Sequence, residues 1–396
     1  MYDLSSSPIG RTVRIRGHDH RFDEDYDLDA YLPDPLPERV PIGTQTWVAI
    51  SDAMAELGRL DAASPQVPNP TLVSKFTTRL EAVGTSALEG TYADLSEVFA
   101  AEAAETEIRP DVVPQRVREV LNYARAAELG HAAVHEQPIS RGLLSNLQAV
   151  IVRGTDSDGT EAGAIRTSQV FIGPRNRPIT EARFIPPPPG DQLEALVDDW
   201  ISWIEGDRSA LVQVLARVAV AHYQFETIHP YHDGNGRVGR LAAALQLRRS
   251  GVIGTPVLAI SPWLKDHEDA YKDGLLAVSV TGDWEPWVAF FAQALIAASS
   301  QARARIDRLV ELRKQLSETA RTRIPRGRLA VDIADDLIEY PILSVADAEA
   351  RYQKTNQAAR NAIAKLVEVG LLEEYGNASY GRLYWNPRVF SSVGST

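Results

Sequence analysis

Residues 209–240 read SALVQVLARVAVAHYQFETIHPYHDGNGRVGR. The first part, a helix expected over about 208–225, is apolar around most of its circumference, which places it at the centre of a core rather than on a surface. It runs into HPYHDGNGR, small and polar, and a new helix is expected from about Arg237. A buried helix, a glycine loop and a second helix make this a mainly helical protein. Working outward, Val48, Ala49, Ala53, Leu57 and Leu60 share one helical face. Pro65, Pro68 and Pro70 break the chain before a second helix through Phe76, Leu80, Val83 and Leu88. Further helices are expected over 112–128, 139–153, 191–205, 265–278 and 283–312, with a two-stranded element or loop around 252–260. Between Arg166 and Pro189 two β-prone runs flank Gly173-Pro174, the pattern of a lone β-hairpin on a helical protein.

The ends of the chain differ from this core. Residues 1–45 are polar and Pro-rich, and an extended acidic arm is expected there. Three helical runs at 328–338, 344–352 and 355–369 precede two short strands around Gly376-Asn377, the layout of a winged helix-turn-helix. The domain plan is therefore an arm (1–45), an N-terminal helical region (46–110), a helical core (111–300), a basic helical linker (301–325) and a winged-helix domain (326–396).

Composition narrows the function classes. The 396 residues include 44% hydrophobic and 24% charged side chains, enough for a sizeable core in two or three domains. There is no cysteine, which excludes disulfides, thiolate catalysis and Cys-ligated metal clusters. No apolar run approaches the ~18–20 residues of a membrane span, and MYDLSSSPIGRTVRIRG lacks the apolar stretch of a signal peptide. A cytoplasmic location without membrane partners is expected. Net charge is −12, which argues against a protein wrapped in nucleic acid. That total hides two opposed regions: residues 1–110 hold 9 basic and 19 acidic side chains, whereas 301–328 hold 9 basic and 3 acidic.

The loop His229–Arg240 carries the chemistry. Gly234 and Gly236 permit backbone conformations that turn successive N–H groups to one concave side. The helix that follows adds unpaired amides and the positive end of its dipole, an anion site suited to phosphate. Arg237 and Arg240, three residues apart, share a helix face and can pair with further phosphate oxygens. Asp233 is a hard oxygen ligand suited to Mg²⁺ held jointly with a nucleotide, and His229 can accept a proton near neutral pH. Together they point to phosphoryl or nucleotidyl transfer.

The segment resembles the signature of the Fic (filamentation induced by cAMP) family, H-x-F-x-[D/E]-G-N-G-R-x-x-R, with Tyr231 in place of Phe. The likeness extends over about residues 50–300 and takes in GAIRTSQVFIG and the trailing Pro186–Pro189. It implies a Fic-type helical core with a small β-hairpin flap that docks the target, here Val170, Phe171 and Ile172. It implies that His229 is the general base on a Ser, Thr or Tyr hydroxyl of a target protein. Asp233 would hold Mg²⁺ between the α- and β-phosphates of ATP. Gly234, Asn235 and Gly236 would form the anion hole, with Arg237 and Arg240 on the phosphates. Gly236 favours AMP transfer over phosphate transfer, because the Doc branch has Lys there.

Upstream, Thr85-Ser86-Ala87-Leu88-Glu89-Gly90 resembles the family's inhibitory motif [S/T]-x-x-x-E-[G/N]. By resemblance Thr85, Glu89 and Gly90 form that motif and Glu89 pairs with Arg240. A carboxylate held against that arginine would repel the γ-phosphate of ATP and occupy the guanidinium's donors. The expected function is a protein adenylyltransferase autoinhibited by Glu89. Removal of AMP by the same site, and DNA-binding regulation through the winged helix, stand as alternatives. Homo-oligomerisation, and DNA or protein as partner of the wing, are left open.

Overall fold

A computed structural model describes residues 4–64, 70–104, 113–174, 176–206, 214–376 and 382–394. The chain divides into two compact units. The first comprises Met1–Gly58, Arg125–Gly254 and Ile260–Ala297, the second Arg59–Ala124, Thr255–Ala259 and Ala298–Thr396. The division falls within three helices: α1 (Thr44–Ala63), α4 (Gln115–Glu136) and α11 (Glu285–Arg323). None of the described helices is long and apolar enough to cross a membrane.

The first unit is built around α7 (Val214–Ile228), of which every residue except Arg217 is buried. Its sequence allows this because small residues (Ala216, Ala219, Ala221) alternate with Val218, Val220, Tyr223 and Phe225 around the whole circumference. Against it pack α6 (Asp191–Glu205), α8 (Asn235–Arg249) and α10 (Glu268–Thr281), while α5 (Arg141–Val152) packs on α8. The indole N–H groups of Trp200 and Trp287 donate to the Ala221 and Ala219 carbonyls of α7 at 2.8 and 2.7 Å. Ser140 caps α5 by accepting the Leu143 N–H. A short helix, α9 (Ser261–Asp266), precedes α10. The residues expected at 208–213 of α7 lie outside the described part of the chain, and 252–260 hold no strand.

Two sequence expectations for this unit are corrected. Within the arm expected over 1–45, the chain forms a ten-by-ten-residue antiparallel ribbon, β1 (Gly10–Asp19) with β2 (Glu24–Pro33), in register Gly10↔Pro33 to Asp19↔Glu24. Its outer half is polar, held by Arg14 and Arg16 on Asp27, but Ala30, Tyr31 and Leu32 are buried. The 168–189 segment is therefore not a lone hairpin. It is also less regular than expected, with a single antiparallel bridge among its described residues, Ile172↔Phe184, and a 3-10 turn at Ile179–Glu181. The ribbon lies beside it: the Tyr31 N–H donates to the Ile185 carbonyl at 2.9 Å.

In the second unit, α2 (Pro70–Leu88) and α3 (Leu95–Ala104) contribute Phe76 and Phe99 to a core shared with Leu309, Leu312 and Leu316 of α11. The same core takes in α12 (Arg328–Asp336), α13 (Val345–Tyr352) and α14 (Asn356–Glu368). A three-stranded antiparallel sheet in the order β3 (Ile342–Ser344), β5 (Leu383–Trp385), β4 (Glu373–Tyr375) and a last helix, α15 (Pro387–Gly394), complete it. Ser344 and Asp347 form a reciprocal capping box at α13. Asn377, expected in the turn between the last strands, lies outside the described residues. The boundary expected at 300/301 falls inside the 39-residue α11, because its apolar residues continue in register on one face through Leu316 and Ala320. Val48, read onto the buried face of α1, is exposed.

Candidate active site

The end of α7 presents His229. Its N–H still donates to the Phe225 carbonyl at 2.9 Å, as in a helix, but its φ is +50°, a left-handed value that turns the chain sharply into the loop. Imidazole Nδ1 lies 3.1 Å from the Glu226 carbonyl oxygen. A carbonyl only accepts, so Nδ1 carries the hydrogen and Nε2 of the neutral ring holds the lone pair. The side chain is half-buried.

The loop is braced from within. Asn235 makes a two-way bond to one residue: its Oδ1 accepts the Tyr231 N–H and its Nδ2 donates to the Tyr231 carbonyl, both at 2.8 Å. The Asn235 side chain thus fixes the loop, and what it offers an anion is its main-chain N–H. Tyr231 is the buried anchor of the loop, and burial pushes its hydroxyl pKa up to about 12. Gly234, at φ +80°, is the N-cap of α8, which leaves the first N–H groups of that helix without intrahelical acceptors.

Asp233 sits at this helix mouth. Its Oδ1 accepts the Gly234 N–H at 2.7 Å, and its Oδ2 accepts the Ser157 hydroxyl at 2.7 Å and lies 3.4 Å from Arg237 Nη2. Gln148 steadies the turn from α5, donating to the Asp233 carbonyl at 3.0 Å. Arg237 and Arg240 are both buried at 3% exposure, unlike surface arginines. Helix α8 approaches α7 closely at Gly239, where an added Cβ would stand 2.5 Å from Glu226 Oε1 and 2.9 Å from Phe225 Cδ1. His232, one residue before Asp233, points elsewhere: it is exposed, with Nδ1 3.4 Å from Ser168 Oγ.

The flap stands next to this loop. Val170 is buried and Phe171 and Ile172 are half-buried; Phe171 lies under the Arg21 guanidinium of the ribbon at 4.5 Å. Asp19 of the ribbon is paired with Arg21, which chiefly holds its carboxylate below its ordinary pKa, and it also accepts the Ile179 N–H at 3.0 Å. Arg166 is fully buried and reaches the His229 carbonyl with Nε at 2.8 Å. Sequence reading passed over Arg166, Ser157, Gln148 and Glu226. Their partners lie 3 to 85 positions away, and no local pattern marks a lone polar residue as one of them.

Thr85, Glu89 and Gly90 belong to the second unit. Thr85 is fully buried at the end of α2, and Gly90 takes φ +85°. The turn is closed by Gly90 N–H on Ala87 O at 3.0 Å and Thr91 N–H on Ser86 O at 2.9 Å, which fixes the backbone of half-buried Glu89.

The Fic/DOC family N-terminal model matches residues 47–132, and the Fic/DOC family model matches residues 138–247, which include the whole of the loop just described. The chain carries a Fic/DOC domain. A stretch of 135 residues, 34% of the chain, is 36% identical to part of the protein adenylyltransferase Fic of Culex quinquefasciatus, covering 24% of that protein. Over 138 residues, 35% of the chain, identity is 34% to the protein adenylyltransferase fic-1 of Caenorhabditis elegans, again 24% of its length. The chain thus spans about a quarter of these relatives. A Fic family protein from Desulfovibrio desulfuricans G20 superposes with a TM-score of 0.54 at 22% identity, covering 89% of this chain and 98% of that one. That likeness establishes the shared fold, and the Fic/DOC domain here accordingly consists of α5 to α8 with the flap between α5 and α6.

Proposed function

We propose that the chain is a protein adenylyltransferase that transfers AMP from ATP to a Ser, Thr or Tyr hydroxyl of a target protein. The observation that carries this reading is the His229 ring, whose Nδ1 hydrogen lies on the Glu226 carbonyl so that Nε2 is the basic nitrogen of the neutral tautomer, beside the N-terminus of α8. The target hydroxyl gives its proton to Nε2 as its oxygen attacks the α-phosphorus. The bond from that phosphorus to the α–β bridging oxygen breaks, and pyrophosphate leaves. The N–H groups of Asn235 and Gly236 and the cations of Arg237 and Arg240 suit the charge that builds on the phosphates. Asp233, a hard carboxylate with 28% of its side chain exposed at the helix mouth, fits Mg²⁺ shared with the nucleotide. When bound, that ion would neutralise phosphate charge. Val170, Phe171 and Ile172 would dock the target as an added strand.

We read Glu89 as the inhibitory residue acting on Arg240. The support is the Thr85–Gly90 motif and its closed turn, which gives the carboxylate a defined point of departure. We read residues 326–396 as a winged helix, supported by three helices followed by a strand pair to which β3 adds in the order β3-β5-β4.

Incubation with α-labelled ATP and Mg²⁺ tests the main reading. Glu89→Gly is expected to label a target more strongly than the parent, and His229→Ala to lower the rate by about 10²–10⁴-fold. Label persisting in His229→Ala would remove its role as base. Release of AMP from a pre-modified target, with no forward transfer by Glu89→Gly, would reverse the direction assigned.

A further inference from the structure

Arg166 sits in GAIRTSQVFIG, and arginine is by type mostly a surface residue. It is instead 1% exposed and makes four hydrogen bonds to three separate pieces of chain. Its side chain donates from Nε to the His229 carbonyl at 2.8 Å, from Nη1 to the Ser168 carbonyl at 3.1 Å and from Nη2 to the Pro187 carbonyl at 2.5 Å. Its main-chain N–H donates to the Pro230 carbonyl at 3.0 Å. All four acceptors are main-chain oxygens.

This residue therefore ties both ends of the flap, Ser168 and Pro187, to the peptide that bears the imidazole. It also holds the carbonyls of two successive residues, His229 and Pro230. Proline fixes its own φ, and His229 has φ +50°, a conformation that neighbouring bonds must maintain. With its N–H on Phe225, its ring Nδ1 on Glu226 and its carbonyl on Arg166, His229 is fixed at three points. The planar guanidinium spreads its donors over three nitrogens in a rigid fork, whereas a Lys ammonium has its three donors on one atom at the end of a flexible stem. Burial of the cation is costly and pulls its pKa down to about 10, so it is still charged at neutral pH. A buried cation facing carbonyl oxygens alone fixes geometry rather than neutralising a charge.

We infer that Arg166 is a positioning residue: it locks the base His229 and the two ends of the target-docking flap into one register, so that the hydroxyl presented by the flap meets Nε2. This rests on the adenylyltransferase reading, and the experiment keeps the two apart. Arg166→Lys is made in the full chain carrying Glu89→Gly. The His229 imidazole nitrogens are followed by ¹⁵N NMR in the absence of nucleotide, and AMP transfer is measured with labelled ATP. In the parent the nitrogen shifts should report one dominant Nδ1–H tautomer. In Arg166→Lys they should move toward the average of both tautomers, and transfer per folded molecule should fall about 10- to 100-fold while ATP affinity stays within about twofold. If the parent transfers nothing, the adenylyltransferase reading fails and the nitrogen shifts alone decide for or against Arg166. Where the variant melts earlier, both quantities are read below its transition. Shifts and rates equal to the parent's there would make Arg166 structural only and overturn the proposal.

Discussion

At the scale of single residues, the loop is held by side chains that satisfy its backbone before any ligand arrives. Asn235 is the clearest case: one amide takes both the N–H and the C=O of Tyr231. Asn235→Ala should destabilise the domain by about 1–3 kcal/mol through two unpaired buried groups, and Asn235→Asp, which cannot donate, should recover only part of that. Urea unfolding measures both, and an unchanged midpoint in Asn235→Ala would show that the loop does not depend on this brace. Gly239 is constrained differently, since a Cβ there would stand 2.5 Å from the Glu226 carboxylate. Gly239→Ala should cost about 1–3 kcal/mol by overpacking, although Ala is the better helix former. The sequence made His229, Asp233 and the glycines legible because their chemistry is local. It did not show what the Asn235 side chain holds, because whether an amide faces an anion or its own loop depends on where Tyr231 is buried.

At the scale of elements, α7 and its neighbours carry a pH dependence. His222 is buried, stacked with Tyr271 and Trp287, and burial takes its pKa down to about 3. Above the unfolded value of about 6.5 both states are neutral there and stability is full. As pH falls below that value only the unfolded chain gains the proton, so stability should drop by at most about 1.4 kcal/mol per pH unit until pH nears 3. His222→Gln, which can keep the bond to Tyr271, should flatten that slope in urea titrations between pH 6.5 and 4. The helices themselves were legible from periodicity. The ribbon was not, although Val13, Arg14, Ile15 and Arg16 alternate, because a run rich in acid and proline reads as unpaired chain. Its inner half is held by contacts 150 residues away in sequence, Ala30 against Ile179, Ala182 and Ile185. Tyr31, fully buried against Phe184, is the test: Tyr31→Ala should cost about 3–5 kcal/mol and expose the Tyr31 region to hydrogen exchange.

At the scale of the whole molecule, charge totals are a poor guide to sites. The chain is acidic, yet its densest functional loop carries two buried arginines. The basic run over 301–328 is not a free cationic face. Arg305 is buried, Arg313 donates to the Asp335 carbonyl at 2.9 Å, and Arg321 lies 3.4 Å from the Asp335 carboxylate. On α14, Gln357 bonds Asn361 at 2.9 Å and Arg360 bonds Asn356 at 2.7 Å, so these polar side chains are engaged with each other. With 10 basic and 9 acidic residues in 320–396, duplex DNA should bind the full chain weakly, with a salt slope no steeper than about −2. Tight, sequence-selective binding would instead assign the wing to DNA. The sequence by itself determined the helical class, the order of most helices and the residue types gathered at 229–240, since periodicity and glycine chemistry act within a few residues. Only the tertiary structure decided that Gly10–Asp19 and Glu24–Pro33 pair as a ribbon beside Ile179 and Ile185, and that Arg166 joins Ser168 and Pro187 to His229. Those features rest on hydrogen bonds and packing between segments whose separation in sequence leaves no local trace.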